Sequence, residues 1–322
     1  MAIRWGILGA SRFAAKTMGP AIHASRGAVL AAVATSRRDK ADPFTGLAPD
    51  CRVFEDYDAL LADDTIDAVY VPLPNHLHIP WMEKALRAGK SVLSEKPLAL
   101  RADAIDPMIA LRDETGLVAA EGYMIAHHPQ WHRVRHLIAD GAIGELRHME
   151  TAFTFNNPDL TNIRFDATKG GGSLPDIGVY ALGCMRLATG QEPTQITHAD
   201  LDMREGVDVA ARVGLRFGDV TATAFTAMNT HRAQHATFYG STGQIHLTQP
   251  FTPGPSGEAT LVLSQEDFNA RVERWPALNQ YVLQVEAFGR AVTKGDAFPW
   301  RLEDAQGMQS MLDAVYAQAA AS

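Results

Sequence analysis

The first third of the chain alternates short apolar segments with longer amphipathic ones, and this alternation strongly limits the possible folds. The strand candidates are IRWGILG, AVLAAVAT, CRVF, DAVYVPLP, SVLSE and LVAAEGY. Between them lie helix-like segments such as IPWMEKALRAG and AIDPMIALRDETG, both closed by a glycine. Apolar strands that alternate with helices are typical of a parallel sheet covered on both faces. Residues 1–122 are therefore predicted to form a doubly wound α/β domain.

The pattern changes after residue 122. PQWHRVRHLIADGAIG predicts a helix with Pro129 in its first turn, and strand-like segments such as LRHMETAFTF, VAARVGLRF and VTATAFTAM then follow closely. This favours an α+β domain over residues 123–322, with a mostly antiparallel open sheet. QPFTPGPSGE, residues 249–258, predicts a loop, and residues of about 303–320 predict a helix, for which packing back on the first domain stays open.

Composition supports two domains and excludes several functions. A chain of 322 residues exceeds what one core usually serves, and 46% hydrophobic residues suffice for a large core. No apolar run reaches the roughly 20 residues of a membrane span, and a net charge of -8 argues against nucleic acid as a partner. Two cysteines, Cys51 and Cys184, exclude a disulfide framework. Without a recognisable signal segment, a cytoplasmic location is the default expectation.

The segment GASRFA follows the first strand candidate and predicts a dinucleotide-binding turn. The tight turn needs Gly9, and close packing of the following helix needs a small residue such as Ala14. Ser11 occupies the position where the usual pattern has a central glycine. The predicted cofactor-binding residues here are Gly9, Ala10, Ser11, Arg12, Phe13 and Ala14. An ordinary βα turn is the alternative interpretation.

The end of the second strand candidate bears on the choice of cofactor. An acidic residue there would suit the ribose hydroxyls of NAD, but this chain has Ser36, Arg37 and Arg38. A hydroxyl and two forked guanidinium groups suit the 2′-phosphate of NADP, so NADP(H) is favoured. The alternative is a solvated helix start in which Asp39 pairs with its neighbours.

The segment SEKPLA ends the fifth strand candidate. Ligands of open α/β sheets bind outside the carboxyl ends of the strands, so Lys96 is predicted to point at the nicotinamide. Pro97 explains the abrupt end of the strand, because proline cannot extend a strand ladder. A lysine at this place is suited to exchange a proton with a substrate hydroxyl or carbonyl. The alternative is a surface ion pair between Glu95 and Lys96.

Several motifs in this order resemble those of the Gfo/Idh/MocA oxidoreductases. They are Gly9, Ala14, PLPNHLH (72–78), Glu95-Lys96-Pro97 and GGGSLPDIGVY (170–180), and the resemblance covers nearly the whole chain. It is greatest to the branch of NADP-dependent aldose dehydrogenases, dimeric dihydrodiol dehydrogenases and glucose-fructose oxidoreductase. That branch carries Asp-x-x-x-Tyr, which Asp176 and Tyr180 match.

The resemblance implies roles for these residues. Lys96 would be the catalytic lysine, with Asn75 and His78 near the nicotinamide ribose and with Pro72 and Glu95 also on the cofactor side. Asp176 and Tyr180 would face the substrate from the second domain, and Arg164 would be a further substrate contact. The resemblance also implies a homodimer or higher homo-oligomer formed through the sheet of the second domain.

The residues around Asp176 support a substrate site independently. PDIGVYALGCMRLATG predicts a helix, and a spacing of four places Asp176 and Tyr180 on one face. Gly170 to Gly172 would let the backbone come close to a ligand. Alternatively, Asp176 favours only its helix N-terminus and Tyr180 is a core aromatic residue.

The histidines raise the question of a metal site. His128, His132 and His136 follow one another at a spacing of four, but they extend over two turns without an acidic partner. A solvated or interface stripe is therefore predicted, and no metal. His76 and His78 alternate as on a strand and are interpreted as residues on the cofactor side. The chain also departs from its relatives at residues 125–129, where IAHHP replaces an aromatic-Arg-Phe-His-Pro run.

Together these features predict an NADP(H)-dependent oxidoreductase that moves a hydride between nicotinamide C4 and a carbinol or carbonyl carbon of a sugar or cyclic diol. Lys96 would exchange the proton, assisted by Tyr180 and Asp176. Two other functions stay open. One is glycoside hydrolysis through transient oxidation by a retained NAD⁺, and the other is non-catalytic sensing of the nucleotide.

Overall fold

The structure is a computed structural model that describes residues 2–254, 257–265 and 270–321. Its strands, in chain order, are β1 (Ile3–Leu8), β2 (Ala28–Ala34), β3 (Arg52–Phe54), β4 (Ala68–Val71), β5 (Ser91–Ser94), β6 (Ala119–Glu121), β7 (Leu146–Asn156), β8 (Gln195–Arg204), β9 (Val207–Phe217), β10 (Val220–Ala227), β11 (Asn229–Gly240), β12 (Gly243–Leu247), β13 (Glu258–Gln265) and β14 (Ala270–Pro276). Its α-helices are α1 (Gly19–Ala24), α2 (Asp42–Leu47), α3 (Tyr57–Leu61), α4 (His78–Arg87), α5 (Asp106–Thr115), α6 (Pro129–Ala139), α7 (Val179–Thr189), α8 (Gln280–Lys294) and α9 (Leu302–Ala320).

The first sheet has the strand order β3-β2-β1-β4-β5-β6, and its neighbouring strands pair in parallel. The strand order reverses between β1 and β4, which is the topological switch point where ligands of such sheets bind. Each strand candidate of the first third corresponds to one of these strands. The prediction of a doubly wound, Rossmann-type α/β domain is confirmed.

Residues Asn279–Gln306 form one compact unit with Met1–His127, although the sequence pattern assigned everything after residue 122 to a second domain. Helix α8 buries Val285 and Phe288, and the ring of Phe288 lies 4.9 Å from that of Trp5 in β1. Farther on, Glu303 forms an ion pair with Arg112 of α5 at 2.8 Å. Hydrophobic periodicity reveals the apolar face of such a helix, but it does not identify the distant surface that covers it.

The second compact unit comprises His128–Leu278 and Gly307–Ser322. Its sheet has the order β14-β13-β12-β11-β7-β10-β9-β8, and the pairs are antiparallel except for β7 with β10. This confirms the predicted, mostly antiparallel sheet. Residues 249–254 and 257 form no helix or strand, as predicted for the loop, but its last residue, Glu258, begins β13. Residues 255 and 256 of that loop lie outside the described residues.

Helix α7 is a largely buried helix of the second unit. Its residues from Val179 to Cys184 are buried, and Thr151 of β7 donates a hydrogen bond to the carbonyl of Ala181 at 2.8 Å. A π-helical turn, Leu174–Gly178, leads directly into α7. The strand-to-helix contact therefore fixes the helix that carries Tyr180.

The boundary between the two units falls within α9, between Gln306 and Gly307. Leu302 and Ala305 belong to the core of the first unit, whereas Tyr316 bonds to Asp208 within the second. The sequence left open whether the tail helix packs on the first domain. Its first residues, up to Gln306, belong to the first unit, and its residues from Gly307 onwards belong to the second. Among the described residues no helix is long and apolar enough to cross a membrane.

Candidate active site

The turn after β1 is one that only glycine fits. Gly9 has a φ of +109°, and a Cβ there would lie 2.9 Å from Leu73 Cδ2 and 3.1 Å from the Tyr57 hydroxyl. Its N–H donates to the carbonyl of Ala34 in β2 at 2.9 Å. The backbone therefore closes tightly at the carboxyl edge of the sheet, which suits a dinucleotide-binding turn.

Ser11 caps the helical segment that follows this turn. Its hydroxyl accepts a hydrogen bond from the N–H of Ala14 at 3.0 Å, and its carbonyl accepts one from Ala15 at 3.0 Å. Serine is a favoured N-cap residue, so Ser11, which replaces the usual glycine, provides a helix cap that glycine could not. Ala14 is fully buried, whereas Arg12 and Phe13 are exposed.

Two exposed arginines follow β2. Arg37 donates to both oxygens of Asp39, at 3.2 and 2.6 Å, and Nη1 of Arg38 lies 3.6 Å from Glu55 Oε1. The hydrogen bond with Asp39 raises the pKa of Arg37, and Arg37 in turn lowers the pKa of Asp39. Exposed ion pairs contribute little free energy, so a phosphate can replace these carboxylates at small cost.

Glu95 and Lys96 follow β5 at the same edge of the sheet. Glu95 accepts hydrogen bonds from the Tyr70 hydroxyl at 2.5 Å and from the Lys96 N–H at 3.3 Å. Lys96 is half-buried, and its peptide bond to Pro97 is cis. The strand ends at Ser94, as the proline predicts.

His78 links the segments that follow β4 and β5, because its ring contacts a backbone carbonyl of each. It is fully buried, with Nδ1 2.8 Å from the carbonyl of Pro97 and Nε2 2.8 Å from that of Leu73. Burial lowers the pKa of His78 to about 4, so the neutral ring donates to one of these two carbonyls. The prediction that His76 and His78 alternate on a strand is wrong. The strand ends before Pro72, which cannot extend a ladder, and His78 begins helix α4.

Glu121, the last residue of β6, is a buried carboxyl group that the sequence pattern did not single out. Its Oε1 accepts from the N–H of Leu98 and its Oε2 from the indole N–H of Trp300, both at 2.7 Å. Burial raises the pKa of Glu121 to about 7. A charged residue inside the apolar run LVAAEGY was the signal available in the sequence.

Three predicted substrate residues lie together in the second unit. Arg164 Nε donates to Asp176 Oδ2 at 2.6 Å. The charge of Asp176 raises the pKa of Arg164, and Tyr180 acts in the same direction. Tyr180 is buried, with its ring centroid 6.0 Å from that of Phe153. A guanidinium, a carboxylate and a phenol thus converge at the start of α7, a set of groups that can orient a polyhydroxylated ligand.

The triglycine segment packs against the chain itself. The N–H groups of Gly171 and Gly172 donate to the carbonyls of Asp166 and Arg164, at 3.0 and 2.9 Å. A Cβ on Gly171 would lie 2.4 Å from the Arg164 carbonyl oxygen. The sequence predicts a close approach to a ligand, whereas the approach in the structure is to the loop that carries Arg164.

Asp208 of β9 holds the other side of this segment and was also missed by the sequence pattern. It is fully buried and accepts from the Leu174 N–H and the Ser173 hydroxyl at 2.7 Å, and from the Tyr316 hydroxyl at 2.5 Å. Burial raises the pKa of Asp208. No local motif links β9 to residues 173 and 316, so only the tertiary structure reveals this contact.

The histidine stripe of α6 divides into different environments. His128 is fully buried and caps the helix, because its Nδ1 accepts from the Gln130 N–H at 3.2 Å, and burial lowers its pKa to about 4. The prediction of a solvated or interface stripe fails for this residue, because its ring is used as a cap. His132 and His136 are exposed, and His136 pairs with Asp140 at 2.9 Å. Within the described residues, no group of three His, Cys, Asp or Glu side chains could hold a metal ion.

A Rossmann-type sheet with a glycine turn and a lysine at its carboxyl edge, followed by an α+β unit, defines a class of two-domain nicotinamide-dependent oxidoreductases. Residues 3–123 match the family model described as "Oxidoreductase family, NAD-binding Rossmann fold", and residues 131–246 match "GFO/IDH/MocA C-terminal domain". The chain belongs to the Gfo/Idh/MocA oxidoreductase family.

Relatives with named activities match over nearly their whole length. A dTDP-3,4-didehydro-2,6-dideoxy-alpha-D-glucose 3-reductase of Actinomadura kijaniata is 36% identical, with 97% of this chain and 94% of the relative covered. A D-xylose 1-dehydrogenase (NADP(+)) of Haloferax volcanii is 31% identical, with 98% and 97% covered. The crystal structure of a 3-ketoreductase from A. kijaniata in complex with NADP and TDP-benzene matches with a TM-score of 0.91 at 34% identity, covering 99% of this chain and 98% of that one.

Proposed function

We propose that the protein is an NADP(H)-dependent oxidoreductase that transfers a hydride between nicotinamide C4 and a carbinol or carbonyl carbon of a sugar or cyclic diol. The observation that carries the proposal is the carboxyl edge of the first sheet, where the Gly9 turn follows β1 and Lys96 follows β5, with only β4 between these two strands. NADP in the relatives' names and complexes supports the choice of cofactor.

The residues of this edge fit a dinucleotide. A Cβ at Gly9 would collide with Leu73, so only glycine allows this tight turn, which a dinucleotide can approach closely. The helix start capped by Ser11 offers backbone N–H groups to a pyrophosphate. We assign Ala10, Arg12, Phe13 and Ala14 to the same turn, and Ser36, Arg37 and Arg38 to the 2′-phosphate. Pro72, Asn75 and Glu95 are assigned to the nicotinamide side. His78 supports this edge through backbone carbonyls, because both of its ring nitrogens face them.

Lys96 is assigned the proton transfer at the reacting oxygen. The bound cofactor supplies or accepts the hydride, so the protein must hold the substrate and move one proton. Tyr180 carries a hydroxyl that can donate and accept, and we assign it to the substrate hydroxyl. Asp176 is committed to Arg164 at 2.6 Å, so these two residues are assigned to orienting the substrate.

A panel assay tests this function. Purified protein is incubated with NADP⁺ or NAD⁺ and aldoses or cyclic diols, and with NADPH and ketosugars including a dTDP-linked 3-ketosugar. Absorbance of the reduced nicotinamide is recorded. We expect turnover of at least one sugar with NADP(H). Glycoside cleavage without net change of the cofactor would instead support hydrolysis by transient oxidation, and tight NADPH binding without any turnover would support nucleotide sensing.

Cofactor preference is predicted to depend on the arginines after β2. Replacing both Arg37 and Arg38 by alanine removes two charged donors to a 2′-phosphate, so we expect the KM for NADP⁺ to rise by about tenfold or more. The KM for NAD⁺, which lacks this phosphate, should stay within about twofold. Steady-state kinetics with both cofactors measures the difference.

Arg101→Ala is the matched control for the arginine variant. Arg101 pairs with Asp103 two residues on, at 3.1 and 3.0 Å, in the same geometry as Arg37 with Asp39. This variant should leave both KM values unchanged. Equal losses of affinity for NADP⁺ and NAD⁺ in the double variant would argue against a role at the 2′-phosphate.

We also propose that the protein forms a homodimer through the sheet of the second unit. A groove on the open face of this sheet is lined by Thr221, Thr223 and Phe225 among others, and Arg212 lies over the Phe225 ring at 5.5 Å. Light scattering should give twice the chain mass. Phe225→Glu should shift the protein towards monomer, because it places a charge in the groove. A monomeric wild-type protein at micromolar concentration would contradict this proposal.

A further inference from the structure

Glu121 lies where a charge can act on the proposed catalytic lysine. Strands β5 and β6 pair in parallel with Ser94 opposite Glu121, so the two strands end side by side. Lys96 follows Ser94 by two residues, and Leu98 follows Lys96 by two. The Glu121 carboxylate accepts the Leu98 N–H at 2.7 Å, so it binds the backbone just beyond Lys96.

The second hydrogen bond of Glu121 holds the carboxylate in place. The indole N–H of Trp300 donates to Oε2 at 2.7 Å, and the Trp300 ring stacks on Tyr123 with centroids 4.2 Å apart. Both oxygens therefore receive N–H donors from groups that are themselves packed. Only 2% of Glu121 is exposed, so the negative charge is screened little by water.

Lys96 and Glu95 are the charged groups that act on this carboxyl group. Burial, the largest effect, raises the pKa of Glu121 to about 7, and the charge of Glu95 acts in the same direction. The Trp300 and Leu98 hydrogen bonds and the charge of Lys96 oppose this rise. The Glu121 carboxylate therefore interacts electrostatically with the positive charge of Lys96.

We propose that Glu121 is a positioning residue for the reaction, which holds the segment after Lys96 through Leu98 and couples its own charge to the Lys96 ammonium. This inference rests on the proposed function, in which Lys96 moves the proton. Nothing in the local sequence predicts it, because the partners of Glu121 come from the loop after β5 and from residue 300.

The test is a titration of apo protein labelled with ¹³C at the glutamate carboxyl carbons. In the wild type we expect one carboxyl signal that titrates near pH 7 and is missing in Glu121→Gln. In Lys96→Met this signal should move to higher pH by about half a unit or more, because the opposing positive charge is gone. Lys96→Arg keeps the charge and should leave the signal near its wild-type position. Trp300→Phe removes one donor and should also move the signal upwards.

Kinetics supply the second readout. Glu121→Gln should lower kcat by about tenfold, because Lys96 would be held less well for proton transfer. The KM for the cofactor should be nearly unchanged, because cofactor binding does not depend on Glu121. If Glu121→Gln does not fold, Trp300→Phe, which keeps the carboxylate, serves in its place and should lower kcat by a smaller factor.

Two results would overturn the inference. One is an identical Glu121 titration in the wild type and Lys96→Met, and the other is an unchanged kcat in Glu121→Gln. Failure of the proposed function would look different, because the wild type itself would then show no NADP(H)-linked turnover. The apo titration would still decide whether Glu121 and Lys96 are coupled.

Discussion

Lys96→Met is expected to lower kcat by about 10²- to 10⁴-fold, the usual contribution of a general acid or base. Methionine has nearly the length of the lysine stem, so it keeps much of the packing but cannot donate or accept the proton. The neighbouring contacts of Glu95 and His78 involve backbone atoms and Tyr70, and they should remain. NADPH binding, measured by fluorescence, should therefore change little while turnover is lost.

Two further variants separate the proton from the charge at this position. Lys96→Arg keeps a positive charge but holds its proton too tightly to release it, so it should be nearly as inactive as Lys96→Met. Lys84→Met removes an exposed lysine of α4 that pairs with Asp58 at 2.9 Å, and it should retain wild-type kcat. If Lys96→Met kept half of the wild-type kcat, the lysine would not be the proton-transfer group.

Gly172→Ala is expected to destabilise the protein by about 3 kcal/mol or more and to impair the substrate site. The φ of Gly172 is +132°, a region that residues with a side chain rarely occupy, which alone costs about 1–3 kcal/mol. Its new Cβ would lie 2.3 Å from Oδ1 of Asp208, whose carboxylate is buried and hydrogen-bonded. The added methyl group must therefore displace either that carboxylate or the backbone bonded to Arg164.

Gly218→Ala is the matched control within the same unit. Gly218 also has a positive φ, +61°, but a Cβ there would meet nothing within 4 Å. The substitution should lower the free energy of unfolding only through the strained backbone conformation, by about 1–2 kcal/mol. Urea unfolding measures both variants, and kcat/KM below their unfolding range should fall only in Gly172→Ala. Equal losses of stability would mean that the contact with Asp208 contributes nothing.

The first sheet could be predicted because its signal is local. Each buried strand is a short apolar run, each connecting helix has its own periodicity, and glycine or proline ends the elements. Gly9 and Pro97 were recognisable because their backbone requirements are properties of single residues. The grouping of Asp176 with Tyr180 followed from their spacing of four, although Asp176 lies in the π-helical turn that precedes α7. In the structure Asp176 pairs with Arg164 at 2.6 Å, and Tyr180 also acts electrostatically on Arg164.

The partners of the buried polar groups could not be predicted. The carboxylate of Glu121 is held by residues 98 and 300, and that of Asp208 by residues 173, 174 and 316. A buried carboxylate must find donors, but its own sequence neighbours do not say which ones. His78 is a similar case, since the sequence suggested a cofactor contact and the ring instead faces two backbone carbonyls.

The sequence by itself thus determined the six strands of the first sheet, the glycine turn and the position of Lys96 at a strand end, because these depend on local backbone preference and periodicity. Tertiary structure alone decided that α8 joins the first unit and that the triglycine segment packs against the Arg164 loop. It also decided which donors form hydrogen bonds with the buried carboxylates. These contacts join residues far apart in the chain, and their free energy depends on burial and geometry that no local pattern contains.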